Sequence, residues 1–354
     1  MTTPIQPVAS SVQIAGTEEL LAAVPHLLGF HPHDSLVVIG LQGNDPMTIG
    51  LTLRVDLPPP EHHDAVAEQL AIPLAKHETA GVVLLIVGGS DGAPPGAPSE
   101  QPPHRALTTR LELTFARIGI PVVHRLWLPD TERGARWSCY DDSDCRGTLP
   151  DPSTTPLAAA SVVAGAVTVP RRADLVAGLM TADGPALARR ARLLETASRD
   201  REPGGDTTAL TTARFAAVRA AIDRSVDGLP TLTDDDVLAL SDALSDHRVR
   251  DACLIQEQDK AAAAEHLWTA LTRATPAPER AEAACLLAFA AYLRGDGVLA
   301  GIALEQAEEA DAGHRLTSLL RNSLLFGLPP YQLRAACVQA AELARQQLSE
   351  EAQP

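Results

Sequence analysis

The pattern of apolar and polar positions changes character near the middle of the chain. In the first half, apolar runs of strand length alternate with stretches of helical spacing. Residues 35–41 are almost continuously apolar. Met47, Ile49, Leu51, Leu53 and Val55 then alternate with Thr48, Gly50, Thr52, Arg54 and Asp56. A continuous run predicts a strand buried on both faces, and an alternating one predicts a strand with one face open. With Asn44 and Asp45 in a turn between them, the two predict a hairpin. Gly81–Val87 (GVVLLIV) is a third, buried strand, and residues 121–128 are a fourth. Helices are predicted over 16–24, with Thr17 as cap and Pro25 bringing the helix towards its end, and over 61–78 after a triple proline. A third follows at 105–118, where Leu107, Leu111, Phe115 and Ile118 recur at helical spacing. The Gly- and Pro-rich stretch 88–103 predicts a flexible surface loop.

From residue 157 the strand signal almost disappears. Helical stretches are predicted at 158–163, 171–180, 185–196, 208–224, 237–244, 246–254, 260–272, 278–293, 298–310 and 314–326, with a flexible break at 201–205. Gly295-Asp296-Gly297 predicts a tight turn between two helices. Helix starts at Glu279 and His314 lie 35 residues apart, close to the roughly 34-residue period of a tetratricopeptide helix pair. The Trp and Gly positions of that repeat are poorly matched, so a bundle of helical hairpins is expected instead. The expected fold class is therefore α/β: an N-terminal layered mixed-sheet α/β domain followed by an all-helical C-terminal region. The expected boundaries are 1–150 for the α/β domain, with a long polar loop over 129–156 at its end, 157–330 for the helical region, and 331–354 for a partly helical tail.

Composition sharpens this picture. A chain of 354 residues exceeds the usual size of a single core, which agrees with two domains. Hydrophobic residues make up 45% but aromatics only 3%, and much of the remainder is alanine, which favours helix and buries little area per residue. The formal charge of −16 repels phosphate backbones and anionic headgroups, which argues against nucleic-acid and membrane partners. No apolar stretch has bilayer-spanning length, and MTTPIQPVAS lacks the basic and apolar regions of a signal peptide. Five scattered cysteines do not resemble a secreted disulfide framework, so a cytoplasmic protein is expected.

Candidate chemistry is sparse. Gly40-Leu41-Gln42-Gly43 follows a strand, but the third glycine and the helix of a dinucleotide fingerprint are missing, as is a phosphate-binding lysine motif. Cys139 and Cys145 have no second Cys or His pair to complete a zinc site, and Asp141, Asp142 and Asp144 fall out of register for a calcium loop. No metal is expected on these grounds, and the residues leave any cofactor open. The best polar constellation is His31, Asp34 and Ser35 at the junction into the first strand, with Arg54 and Asp56 near the end of the second. A serine, a histidine and a carboxylate make an activated nucleophile only when the histidine sits between the other two. The plainer reading is that Asp34 and Ser35 satisfy a local turn. Arg136 with Trp137 is a second candidate, a guanidinium beside a stacking ring. Arg248, Arg250 and Asp251 read as interhelical ion pairs.

Several stretches carry a resemblance. LLGFHPHDSLVV at 27–38, RVDLP at 54–58, RWSCYDDSDCRG at 136–147, RVRDACL at 248–254, AFAAYLRGDGVLA at 288–300 and GLPP at 327–330 together resemble the DUF4192 family of actinobacterial proteins, a domain of unknown function. The resemblance implies no activity, cofactor or catalytic residue. It implies a richer cysteine cluster ending in Cys-Cys-Pro, where this chain has only Cys139 and Cys145. If that cluster holds a metal in relatives, this chain has lost the capacity. The function expected is a non-catalytic binding or regulatory protein, with a small-molecule ligand or a protein partner met through the helical region. The alternative is an enzyme with a polar pocket formed by His31, Ser35, Arg54 and Arg136.

Overall fold

The computed structural model describes residues 16–43, 48–89, 102–163, 167–180, 183–199 and 208–350. The turn expected at Asn44 and Asp45, most of the Gly- and Pro-rich stretch and the break at 201–205 lie outside the described residues. The chain divides into two compact units, Met1–Asp174 and Leu175–Pro354.

The first unit is built on a six-stranded mixed sheet. Its strands are β1 (Ser35–Gln42), β2 (Thr48–Asp56), β3 (Gly81–Val87), β4 (Val122–Leu128), β5 (Arg136–Cys139) and β6 (Arg146–Thr148), in the order β2-β1-β3-β4-β5-β6. Only β3 and β4 run parallel, and every other neighbouring pair is antiparallel. β1 and β3 are central and buried on both faces, while β2 is partly exposed at an edge, in line with the continuous and alternating patterns that mark them. Helices α1 (Thr17–Leu28), α2 (His63–Lys76), α3 (Arg105–Arg117) and α4 (Pro156–Val163) complete the unit. Leu70 and Leu74 of α2 and Leu107, Leu111 and Phe115 of α3 pack with Leu36, Val38, Leu84 and Ile86 on one sheet face. That layer forms because two amphipathic helices and two strands bury their apolar positions against each other.

Two local expectations are corrected. α1 starts on Thr17 itself, with Gly16 at the cap position, and it runs through buried Pro25 to Leu28. It stops where Gly29 takes the left-handed conformation at φ 75°. Residues 129–156 are not only a loop. Arg136 to Cys139 alternates exposed and buried positions, enough for β5 to pair with β4 and for β6 to extend the sheet.

The second unit is helical. α5 (Arg172–Leu179) carries the boundary. Then follow α6 (Gly184–Arg199), α7 (Thr208–Asp223), α8 (Asp234–Ser245), α9 (His247–Ala252), α10 (Ala261–Ala274), α11 (Arg280–Arg294), α12 (Gly297–Ala310), α13 (Arg315–Leu325) and α14 (Pro330–Glu350). One core joins Trp268, Leu286, Phe289, Leu304 and many alanines. Gly295 at φ 90° ends α11 and Asp296 caps α12 by accepting from the Leu299 N–H, so the predicted tight turn is a left-handed stop followed by a cap. α14, in the stretch expected as a partly helical tail, runs for 21 residues and packs against α7, α9 and α11. Of the expected ion pairs, Arg250 reaches Glu282 on α11, whereas Arg248 holds Asp246 beside it and the Thr211 hydroxyl on α7. No helix among the described residues is long and apolar enough to cross a membrane.

Candidate functional site at one end of the sheet

Strand register gathers the candidate residues. Ser35 lies opposite Asp56 on one side and Val87 on the other, and Val87 lies beside Leu128. The start of β1 thus meets the ends of β2, β3 and β4. His31 and Asp34 lead into β1 at that end, and β5, antiparallel to β4, begins there with Arg136 and Trp137. All seven candidates therefore occupy one end of the sheet.

Strand alternation then separates them. Leu36 and Ile86 face the α2–α3 layer, so Ser35 and Arg54, which pairs with Val37, face the other way. Ser138 pairs with Trp127, which packs against the α2–α3 layer, so Arg136 points to that face and Trp137 to the opposite one. The guanidinium of Arg136 and the ring of Trp137 cannot form one clamp. Arg136 is also four strand steps from Arg54 in the sheet order, roughly 19 Å at ~4.8 Å per step. The expected convergence of His31, Ser35, Arg54 and Arg136 on one pocket does not occur.

Ser35, Arg54 and Asp56 do come together. The fully buried Ser35 hydroxyl donates to the His33 carbonyl at 2.6 Å and accepts from Arg54 Nε at 2.9 Å. Arg54 also pairs with Asp56 at 2.6 Å and lies 5.8 Å from the centre of the Phe30 ring. Asp34, at φ 40°, accepts the Gly89 N–H at 2.9 Å. A Cβ on Gly88, itself at φ 79°, would stand 2.6 Å from the Asp34 carboxylate, so both the backbone angle and the space require glycine there.

His31 turns elsewhere. Its Nδ1 lies 2.8 Å from the hydroxyl of buried Thr131. Burial first, and then the neighbouring His26 and His33, lowers its pKa from the usual histidine value. It lines a cavity of about 330 Å³ together with His26, Thr131, Arg133, Asp151 and Thr168. His26 is held at both ring nitrogens, by Thr168 at 2.8 Å and by the Pro152 carbonyl at 2.8 Å. A carbonyl only accepts, so Nε2 carries the proton and, in the neutral ring, the Thr168 hydroxyl donates to Nδ1. Of the seven candidates only His31 lines this cavity. Its other walls were missed because His26 and Thr168 are 142 positions apart, with no periodicity to link them.

Trp137 is buried, and its indole nitrogen has no hydrogen-bond partner among the described residues. Gly147 is its cross-strand partner. A Cβ there would stand 2.7 Å from the indole nitrogen and 2.4 Å from a Glu18 carboxylate oxygen, so the missing side chain lets α1 close over the strand. Among the described residues no three metal-ligating side chains cluster.

No curated protein and no solved structure matches the chain. The family model described as "Domain of unknown function (DUF4192)" matches residues 18–331, the greater part of both units. The protein belongs to the DUF4192 family.

Proposed function

We propose that the protein is a non-catalytic binding or regulatory protein, and that the cavity beside His26 and His31 takes a small polar ligand. One observation carries this reading. The Ser35 hydroxyl gives its proton to a backbone carbonyl and accepts from Arg54, while His31 is engaged with Thr131. A nucleophilic serine needs its proton taken by a base, and here a main-chain acceptor occupies that position. The polar cluster at the start of β1 reads as the support of a turn. The cavity wall instead presents imidazole, hydroxyl, guanidinium and carboxylate groups around a space of metabolite size. A protein partner of the helical unit is supported by Leu319 within α13 and Phe326 just past its end, seven residues apart and 65% and 54% exposed.

The test is mass spectrometry of small molecules retained by the full chain purified from its native host. A retained polar metabolite is expected, lost in His31→Ala and kept in Ser35→Ala. Retention indifferent to His31, or turnover abolished by Ser35→Ala, overturns the reading. The enzyme alternative keeps one observation in its favour. Burial and the neighbouring His26 and His33 lower the His31 pKa, which favours the neutral ring that can accept a proton. A turnover that His31→Gln lowers, with loss of the acidic limb from the residual pH profile, would support it.

A further inference from the structure

The β5–β6 hairpin places two thiols opposite one another. Its register pairs Arg136 with Thr148, Trp137 with Gly147 and Ser138 with Arg146, so the next opposed pair is Cys139 and Cys145. The Cys139 N–H donates to the Cys145 carbonyl at 2.9 Å, which places the two residues directly across from each other. Opposed residues of an antiparallel pair project to the same face, with Cα atoms about 4.5–5.5 Å apart. A disulfide requires a Cα separation of about 4.4–6.8 Å. Both cysteines are free thiols.

The surroundings fix this geometry. The Tyr140 N–H donates to the Arg125 carbonyl at 3.0 Å, and Arg105 donates to the Tyr140 carbonyl at 2.9 Å. Arg125 pairs with both Asp141 and Glu112. The turn is closed by the Cys145 N–H on the Asp142 carbonyl at 3.2 Å and by the Asp144 N–H on the Asp142 carboxylate at 2.8 Å. The residues that present the thiols are thus held in place from both sides before any bond forms.

We propose that Cys139 and Cys145 form a reversible intramolecular disulfide, making the hairpin a thiol–disulfide exchange site whose oxidant is a low-molecular-weight disulfide. Cys145 is the more exposed of the two and reacts first. Its thiolate attacks one sulfur of the oxidant, breaking that S–S bond, forming a mixed disulfide and releasing one small thiolate, which takes up the proton Cys145 gave. The Cys139 thiolate then attacks the Cys145 sulfur and expels the second small thiol. Two protein thiols are oxidised and one small disulfide is reduced to two thiols. Burial, the Cys139 thiol and the Asp142 carboxylate hold the Cys145 thiol above its usual pKa, so the exchange is slow beside that of an open surface cysteine.

The sequence makes the test direct. Trypsin cleaves after Arg136 and Arg146, leaving both cysteines in one peptide, residues 137–146. The reduced full-length protein is incubated with oxidised glutathione, quenched with acid, alkylated in denaturant, digested and mapped. The expected product is this peptide two hydrogens lighter and without alkyl groups, its alkylation falling roughly tenfold or more and returning after dithiothreitol. Cys253 and Cys285, buried in the helical unit, serve as controls that glutathione leaves unreacted. Cys139→Ser is expected to trap glutathione on Cys145. Should that variant fail to fold, the wild-type map decides alone. Full alkylation of both cysteines, a persistent glutathione adduct on wild-type Cys145, or a disulfide between two chains would each overturn the proposal.

Discussion

The two units solve the burial problem with different materials. In the sheet unit, Leu84, Leu85 and Ile86 of β3 are completely buried in sequence, because a central strand is covered on both faces. In the helical unit, α11 buries Ala283, Ala284, Ala288 and Ala291 beside Leu286, Leu287 and Phe289. Large aliphatic side chains hold the first core by area. Small ones hold the second by letting helix backbones approach, with Trp268 and Phe289 filling the remaining space. The difference decides which substitutions each unit tolerates, and it explains why an aromatic fraction of 3% is enough.

The comparison breaks most readily at its cores. Leu84→Ala should destabilise the sheet unit by about 3 kcal/mol, read as a lower urea midpoint with an unchanged slope. Ala288→Leu should destabilise the helical unit by about 2 kcal/mol through overpacking, although it adds apolar surface. A neutral or stabilising Ala288→Leu would mean that the alanine positions are loose rather than closely packed.

A smaller effect separates the units by pH. Asp246 caps α9, and its side chain is only 3% exposed. Burial alone would raise its pKa. Hydrogen bonds from the Arg248 side chain and N–H and from Thr211 outweigh burial and hold it at about 2. Because the folded value lies below the unfolded one, the contribution is fully present above the ordinary pKa of 3.8 and is lost as pH falls towards about 2. In the sheet unit, Arg125 holds Asp141 low in the same direction, but that side chain is 48% exposed and solvent screens the pair. Acid titration followed by circular dichroism should therefore show helix loss that Asp246→Asn largely removes from this range. Asp141→Asn should change it little.

Patterning made much of this architecture legible. The continuous GVVLLIV run is β3 residue for residue, and the alternation from Thr48 to Asp56 is the partly exposed edge strand. The short strands β5 and β6 were not legible, since four and three residues carry too little period and become strands only by pairing with β4. The candidate site was legible as a set of residues and not as an arrangement. His31, Ser35 and Arg54 were visible as unusual polar positions, but which of them meet depends on register and face.

By itself the sequence determined the two-part division, the buried strands, the helix-rich second half and the family. These follow from local spacing and composition, which each segment carries in its own residues. Only the tertiary structure decided that Arg136 and Arg54 lie on opposite faces, that His26 meets Thr168 across the first unit, and that Cys139 stands opposite Cys145. Those are relations between distant segments, set by strand pairing and by the parity of side chains along a pleat. A shift of one residue in register would reverse each strand's faces without altering any residue that the sequence displays.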